Sequence, residues 1–398
     1  MKVRLVIENA FVGGGTARTV ASTASALARR GHDVELVSFV RRRDIPTFEV
    51  DPRVKRTVLV DEYAFNRRVP PAGAVPRAGY EARRLLSERR PLVLWHPGDS
   101  RTKGWSPYHE AVFIRWMRSV RDGIVIGTRP GVNLAIARFM RPQLVRIAQD
   151  HLNLGSYKPM LKASFRRRYP QLDAVVTLTE RDAEDYRALL GDNGRVRVYS
   201  VPNGVPDLGG NRASLDSKVV ISAGRLTPQK AYDRLLKAWA KVTPERPDWR
   251  LEIYGAGADE EKLRRQLDKL QLHGTARLMG RTSELFEKMA QSSLFVMTSR
   301  KEGMPMVLLE AMGVGLPVVA YDCPTGPREL IADGVDGYLV PDGDVDALVR
   351  RIIELMDDPA KRRAFGERAR EKAAGYDVNA LAERWERIFE ELTAAKRA

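Results

Sequence analysis

The chain has 398 residues, of which 43% are hydrophobic and 30% charged, with one cysteine and a formal net charge of +16. That length suffices for two domains with full cores, and no apolar run approaches the roughly 20 residues of a membrane span. The lone Cys323 excludes an internal disulfide and a cysteine-built zinc cage, and it fits a reducing cytoplasm.

The opening MKVRLVIENA reads as a strand rather than a signal peptide, because acidic and polar residues follow at once. Further apolar runs follow at 34–40, 91–95, 123–127, 144–149 and 174–178. Amphipathic segments separate several of them, such as Thr16 to Arg30, which stops at Gly31 as a helix C-terminus does. Short apolar strands alternating with helices predict a parallel sheet covered on both faces. The stretch VPNGVPDLGGN, 201–211, is rich in turn formers and reads as a linker. The pattern then restarts, with strands expected at 219–224, 250–255, 276–280, 294–298 and 317–321. From Asp377, a plausible N-cap, Val378, Leu381, Trp385, Ile388, Phe389 and Leu392 recur at helical spacing. The boundaries expected are a first doubly wound domain at 1–200, a second at 201–376, and a terminal helix at 377–398.

Charge divides along the same line. Residues 1–200 hold 36 Lys+Arg against 20 Asp+Glu, whereas the remainder holds 31 of each. The excess is confined to the first half, which suits an anionic partner or an Arg-rich solvated surface. SYKPMLKASFRRRYP, 156–170, places Lys158, Lys162 and Arg166 four residues apart, followed by Arg167 and Arg168, with Met160, Leu161 and Phe165 as apolar neighbours. Such a segment can lie on an anionic membrane surface, line a groove for a phosphate-rich polymer, or be a solvated helix face. A pI near 10 raises nucleic acid as a rival partner, but no nucleic-acid module is recognisable and the charge is restricted to one half, so nucleic acid is not expected.

In open α/β sheets, ligands sit beyond the carboxyl ends of the strands. Strand 219–223 leads into GRLTPQK, where Gly224 permits a tight turn and Arg225 and Lys230 bring two cations near a helix start at about Ala231. A diphosphate suits them, and two solvated charges are the alternative. Strand 294–298 leads into TSRKEGMPMVLLEAM. Pro305 is expected in the first helical turn, leaving backbone N–H groups at Gly303, Met304, Met306 and Val307 around the helix start. Glu302 lies on the loop and Glu310 deeper along the helix, so the two carboxylates would touch different parts of one extended ligand. Vicinal hydroxyls are natural partners for a carboxylate, and a dipole or ion-pair role is the alternative.

In the first half, Gly13, Gly14 and Gly15 precede a helix and suit either a close backbone approach to a ligand or a simple turn. His151 follows the strand at 144–149. His96, Asp99 and His109 are expected in a loop with Trp95, Trp105 and Tyr108, with spacing that matches no standard metal site. Asp342 and Asp344 form a D-x-D string that reads as a turn and helix cap.

GRLTPQK followed by EGMPMVLLEAMGVGLPVVAYDCPTGPRELIADGVDGYLV, 302–340, resembles the donor domain of retaining glycosyltransferases of family 4, with Glu302 and Glu310 in their E-x7-E signature. The second domain carries the resemblance from about 219 to 345. The first matches in layout, through the glycine loop, His151 and Asn203–Gly204. The phrasing DCPTGPRELI is similar to that of wall-teichoic-acid and undecaprenyl-diphosphate-linked sugar transferases. The resemblance implies a GT-B fold, two doubly wound Rossmann-like domains facing a cleft. It implies a nucleotide-sugar donor, most often UDP-linked, with no metal or other cofactor, and an acceptor that is a glycan, polymer or lipid-linked chain. Arg225 and Lys230 would hold the diphosphate, Glu310 the ribose, and Glu302 with the amides after it the sugar. His151 would reach the sugar from the other domain, and Gly14 and Gly15 would approach the diphosphate. A small-molecule glycosyltransferase or a nucleotide-sugar epimerase of the same fold is the alternative. The location implied is cytoplasmic, peripheral at the inner membrane face.

Overall fold

A computed structural model describes residues 1–66, 93–94, 96–99, 105–191, 196–205 and 208–397. Trp95 and most of the strand expected at 91–95 lie outside these residues. Within them the chain divides into two compact units, Met1–Gly204 with Val378–Ala398, and Val205–Asp377.

The first unit is built on seven parallel strands: β1 Lys2–Ile7, β2 Asp33–Arg41, β3 Lys55–Asp61, β4 Ile124–Gly127, β5 Val145–Gln149, β6 Ala174–Thr177 and β7 Arg197–Ser200. Their order is β3-β2-β1-β4-β5-β6-β7, so the chain reverses its direction of travel across the sheet between β1 and β4. The central strands are buried end to end, which is why they read as unbroken apolar runs. The helix Gly15–Arg29 ends at Arg30, and Gly31 follows with a φ of 87°, the left-handed residue that closes a helix. The helix Val378–Arg397 buries Trp385, Ile388, Phe389 and Leu392 in one core with Val3, Leu5 and Leu27. Arg30 and His32 pair with Glu386 at its edge.

The second unit has six parallel strands: β8 Val219–Ala223, β9 Arg250–Tyr254, β10 Ala276–Gly280, β11 Leu294–Met297, β12 Val318–Asp322 and β13 Gly337–Pro341. The order β10-β9-β8-β11-β12-β13 places the reversal between β8 and β11. A crevice opens at such a point because the loops after the two flanking strands leave in opposite directions. β3, β7 and β13 were not anticipated from the sequence. All three are edge strands; β3 and β7 are partly exposed and interrupted by charged or polar residues, whereas β13, GYLVP, is mostly buried.

Candidate functional site

The loop after β8 is fixed by glycine contacts. A Cβ on Gly255 would stand 1.8 Å from the Gly224 carbonyl oxygen, so the two loops pack backbone on backbone. The Gly224 N–H bonds the Tyr254 carbonyl at 2.9 Å, and the Leu226 N–H bonds the Ala256 carbonyl at 3.1 Å. The chain then turns, with the Lys230 and Ala231 N–H groups on the Thr227 carbonyl at 3.0 and 3.2 Å. Ala231 adopts a left-handed conformation, φ 52° and ψ 44°, before the helix Tyr232–Val242. That costs an alanine about 1 kcal/mol. The Thr298 hydroxyl, at the end of β11, donates to the Ala231 carbonyl at 3.2 Å and holds the turn.

The turn aims Lys230 at the loop after β11. Gln229 clips the two loops together: its side-chain amide donates to the Lys301 carbonyl at 2.9 Å, and its own carbonyl accepts from Arg300 at 2.8 Å. Glu302 is fixed by a two-bond bridge to the loop after β12. Its N–H donates to the Pro324 carbonyl and its carbonyl accepts from Thr325, both at 2.9 Å. Lys230 Nζ then meets Glu302 Oε1 at 2.6 Å, with side chains only 15% and 8% exposed. Lys230 and Glu302 therefore neutralise each other beneath the surface, at the reversal between β8 and β11. Arg225 is exposed on the same loop.

Pro305 is the N-cap of the helix Met306–Val314, not a first-turn residue as the sequence suggested. Gly303 and Pro305 press against Gly326, where a Cβ would lie 2.4 Å from the Gly303 carbonyl oxygen. The helix is buried nearly all round, Met306 included, and Met304 on the loop before it is buried too. Leu308 and Leu309 bond back to the Pro305 carbonyl, whereas helix geometry gives the Met306 and Val307 N–H groups no intrahelical acceptor. Glu310 lies one turn in and is itself buried. Burial, and then the charge of Glu302, push the neighbouring Cys323 thiol up to about 12, which leaves it un-ionised. Ser299 and Thr325, which flank Glu302 and were not singled out from the sequence, have buried hydroxyls with no hydrogen-bond partner among the described residues.

In the first unit, the reversal between β1 and β4 has Glu8 and Arg129 on its two sides, with Arg129 Nε 3.3 Å from the buried Glu8 carboxylate. Gly14 is the N-cap of the helix that begins at Gly15. His151 leaves the end of β5 with its Nε2 buried and without a hydrogen-bond partner. Burial, assisted by the charge of Arg129, pushes its imidazole down to about 3, so the ring is neutral at physiological pH. Neither Glu8 nor Arg129 was evident in the sequence, because their pairing depends on strand order.

Two further expectations change. In the helix Pro159–Arg168, Leu161 and Phe165 belong to the core, so the apolar face that a membrane would need is already covered and only Met160 is exposed. Lys158, Lys162, Arg166, Arg167 and Arg168 have no carboxylate partner among the described residues. His109 is not on a loop. It lies in the helix Pro107–Ser119, closes a capping box with Ser106, and bonds Glu62 at 2.7 Å. Burial opposes ionisation of Glu62, but hydrogen bonds from His109 and Arg42 prevail and hold its carboxyl at about 2. His96 bonds Ser164, and Asp99 accepts from Gly131. No group of three potential metal ligands occurs among the described residues. Asp344 caps the helix Val345–Asp357, and Asp342 pairs with Arg234. Among the described residues no helix is long and apolar enough to cross a membrane.

Residues 13–207 match the family model described as Glycosyltransferase Family 4, and residues 209–372 match Glycosyl transferases group 1. An exopolysaccharide phosphotransferase of Streptomyces coelicolor is 34% identical over 405 residues, which span 100% of this chain but 41% of that protein. The amylovoran biosynthesis glycosyltransferase AmsD of Erwinia amylovora is 30% identical over 288 residues, 70% of this chain and 80% of that one. A crystal structure of an S. aureus TarM variant with fondaparinux, alpha-GlcNAc-glycerol and UDP has a TM-score of 0.76 at 16% identity, covering 98% of this chain and 99% of that one. With two parallel-sheet units in the GT-B arrangement of elements and a family match along both, the chain belongs to the family 4, group 1 glycosyltransferases.

Proposed function

We propose that the chain transfers a sugar from a nucleotide-sugar donor to a hydroxyl of a cell-envelope glycan, a teichoic-acid-like polymer or a lipid-linked acceptor. The donor is a UDP-linked hexose or N-acetylhexosamine, and the new bond is α, with retention. The observation that carries this reading is the buried Lys230–Glu302 pair where the second sheet reverses, with Glu310 a turn inside the helix behind it.

Lys230 and Arg225 take the diphosphate, aided by the N–H groups of Met306 and Val307 at the helix start. Gly224, Gly303 and Met304 shape the surrounding backbone. Glu310 accepts from the ribose hydroxyls, and Glu302 accepts from a hydroxyl of the sugar. In the first unit, Gly14 and Gly15 offer backbone to the diphosphate, and His151 offers the sugar a neutral imidazole. As the glycosidic bond breaks, negative charge grows on the leaving phosphate, and fixed cations and amides stabilise that charge more than the ground state. The acceptor oxygen attacks from the face that UDP vacates, and a donor phosphate oxygen takes its proton, so neither a protein nucleophile nor a metal is required. The TarM complex with UDP and alpha-GlcNAc-glycerol, and the amylovoran biosynthesis named for AmsD, support the donor and acceptor classes. The phosphotransferase named for the Streptomyces relative is not carried over, since this chain spans 41% of it and matches glycosyltransferase models in both halves.

For the acceptor, the row of Lys158, Lys162 and Arg166 to Arg168 favours a phosphate-bearing chain at the cytoplasmic membrane face over insertion into lipid, because Leu161 and Phe165 are committed to the core. The test of the donor reading is a melting-temperature panel of nucleotides and nucleotide sugars, with and without EDTA. UDP and one or two UDP-sugars at 100 times their dissociation constant should add about 2.7 kcal/mol, unaffected by EDTA. No rise with any nucleotide refutes the reading.

A further inference from the structure

The end of β5 carries two adjacent residues with opposite surroundings. Asp150 is buried, and its carboxylate accepts four hydrogen bonds from four separate segments. Tyr157 and Asn133 donate to Oδ1, each at 3.4 Å. Tyr169 donates to Oδ2 at 3.2 Å, and Tyr186 donates to the same oxygen. The Asp150 N–H also bonds the Val176 carbonyl at 2.9 Å, which extends strand pairing one residue past β5. A carboxylate has about four acceptor positions, so this one is fully used. The phenols are themselves fixed, since Tyr169 stacks between Phe165 and Tyr186 in the core.

His151, the next residue, has no hydrogen-bond partner for its buried Nε2 among the described residues. Asn133, Tyr169 and Tyr186, three of the four residues that hold Asp150, are fully buried. The ring's position is set by the backbone that Asp150 anchors. We propose that Asp150, clamped by Tyr157, Tyr169, Tyr186 and Asn133, is a positioning residue that sets the orientation of the His151 imidazole. The proposal rests on the reading of His151 as a site residue.

The charged groups around the pair are Asp182 on the helix Glu180–Leu190, Arg129 after β4 and Asp99. Burial pushes the Asp150 carboxyl up to about 6, the three phenols act against that rise, and Asp182 adds to it. Protonation would place an O–H donor among four donors, so at least one phenol must turn and the anchor loosens.

The experiment uses the full chain with 15N-labelled histidine, and His151→Leu identifies the His151 signals. In the wild type, the His151 ring nitrogens should show an inflection near the pH at which Asp150 titrates while remaining those of a neutral imidazole. In Asp150→Asn the inflection should vanish and the signals move, and Tyr186→Phe should give a smaller change in the same direction. Transfer kcat in Asp150→Asn should fall about 10²-fold with the donor KM unchanged, as expected for a misplaced group. His151 signals unmoved in both variants would overturn the proposal, whatever the activity does. If Asp150→Asn does not fold, Tyr186→Phe decides alone. Failure of the reading of His151 as a site residue would show separately, as His151→Leu with undiminished transfer.

Discussion

Removing one partner of the Lys230–Glu302 pair tests the site most directly. At 2.6 Å, with side chains 15% and 8% exposed, the pair lies close to the buried limit, where stripping one member costs about 3–5 kcal/mol because the other charge is left without compensation. The residual exposure of Lys230 places the expected cost of Lys230→Met or Glu302→Gln at the lower end, about 3 kcal/mol. For a unit of this size that is about 6–12 °C in melting temperature. The double variant strands no charge and should cost about 1–2 kcal/mol less than the sum of the two singles. Calorimetry of the four proteins closes the cycle. A coupling below about 0.5 kcal/mol would mean that solvent screens the pair as it does a surface ion pair, and the account of a buried, self-neutralising donor site fails. Ligand adds a second readout. Lys230→Met should lose the stabilisation given by UDP, whereas Glu302→Gln should keep it and lose only the increment that a UDP-sugar adds over UDP.

Gly255→Ala should destabilise the second unit by more than about 3 kcal/mol, since its Cβ would enter the Gly224 carbonyl oxygen at a φ of 142°; a melting curve within 2 °C of wild type by differential scanning calorimetry contradicts the packing described. His151→Leu should leave the melting temperature unchanged or raised, because it replaces a buried unpartnered nitrogen, while transfer falls about 10²-fold or more in a steady-state assay. The two neighbours at the end of β5 have opposite pH signatures, to be read from urea titrations across pH. The folded Asp150 carboxyl, at about 6 against an ordinary 3.8, contributes stability that is present at low pH and lost as pH rises through 6. The folded His151 imidazole, at about 3 against 6.5, contributes stability that is present above 6.5 and lost as pH falls toward 3. Asp150→Asn should remove the first slope and His151→Leu the second. Reversing Lys158, Lys162 and Arg166 to Glu should abolish salt-sensitive binding of a soluble polyphosphate without affecting the UDP shift; equal binding by the variant places the anionic partner elsewhere.

The legible parts of the fold are those in which one physical requirement acts on consecutive residues. The central strands are buried on both faces, so every position must be apolar and the run announces itself. β3 and β7 escape because an edge strand is half solvated, and KRTVLVD and RVYS interleave charge or polarity with apolar residues, whereas β13, GYLVP, is a short run bounded by glycine and proline, which read as turn signals. Amphipathic spacing in 159–168 was read correctly as helical, but spacing alone does not say what covers the apolar face. Leu161 and Phe165 face the protein core, and this removes the membrane-inserting version of the segment while leaving its cations without a carboxylate partner among the described residues.

The candidate-site loops after β8 and β11 stand out for a similar reason: Gly224, Arg225, Lys230, Glu302 and Glu310 fall in two short contiguous stretches, each following a strand. What the stretches do to each other was not legible. Lys230 and Glu302 are 72 residues apart and meet only because β8 and β11 are neighbours in the sheet. The family resemblance implies a phosphate for one and a sugar for the other. In the structure each serves as the other's counter-ion. A diphosphate arriving at Lys230 therefore competes with Glu302 for the same ammonium, and the more it succeeds, the more the carboxylate must find a hydroxyl donor in its place. Only a ligand that carries both groups satisfies both residues at once. On the proposed reading a nucleotide sugar does so, whereas a bare nucleotide lacks the sugar hydroxyl that Glu302 would take, so the buried pair would supply a physical basis for preferring the intact donor over its product.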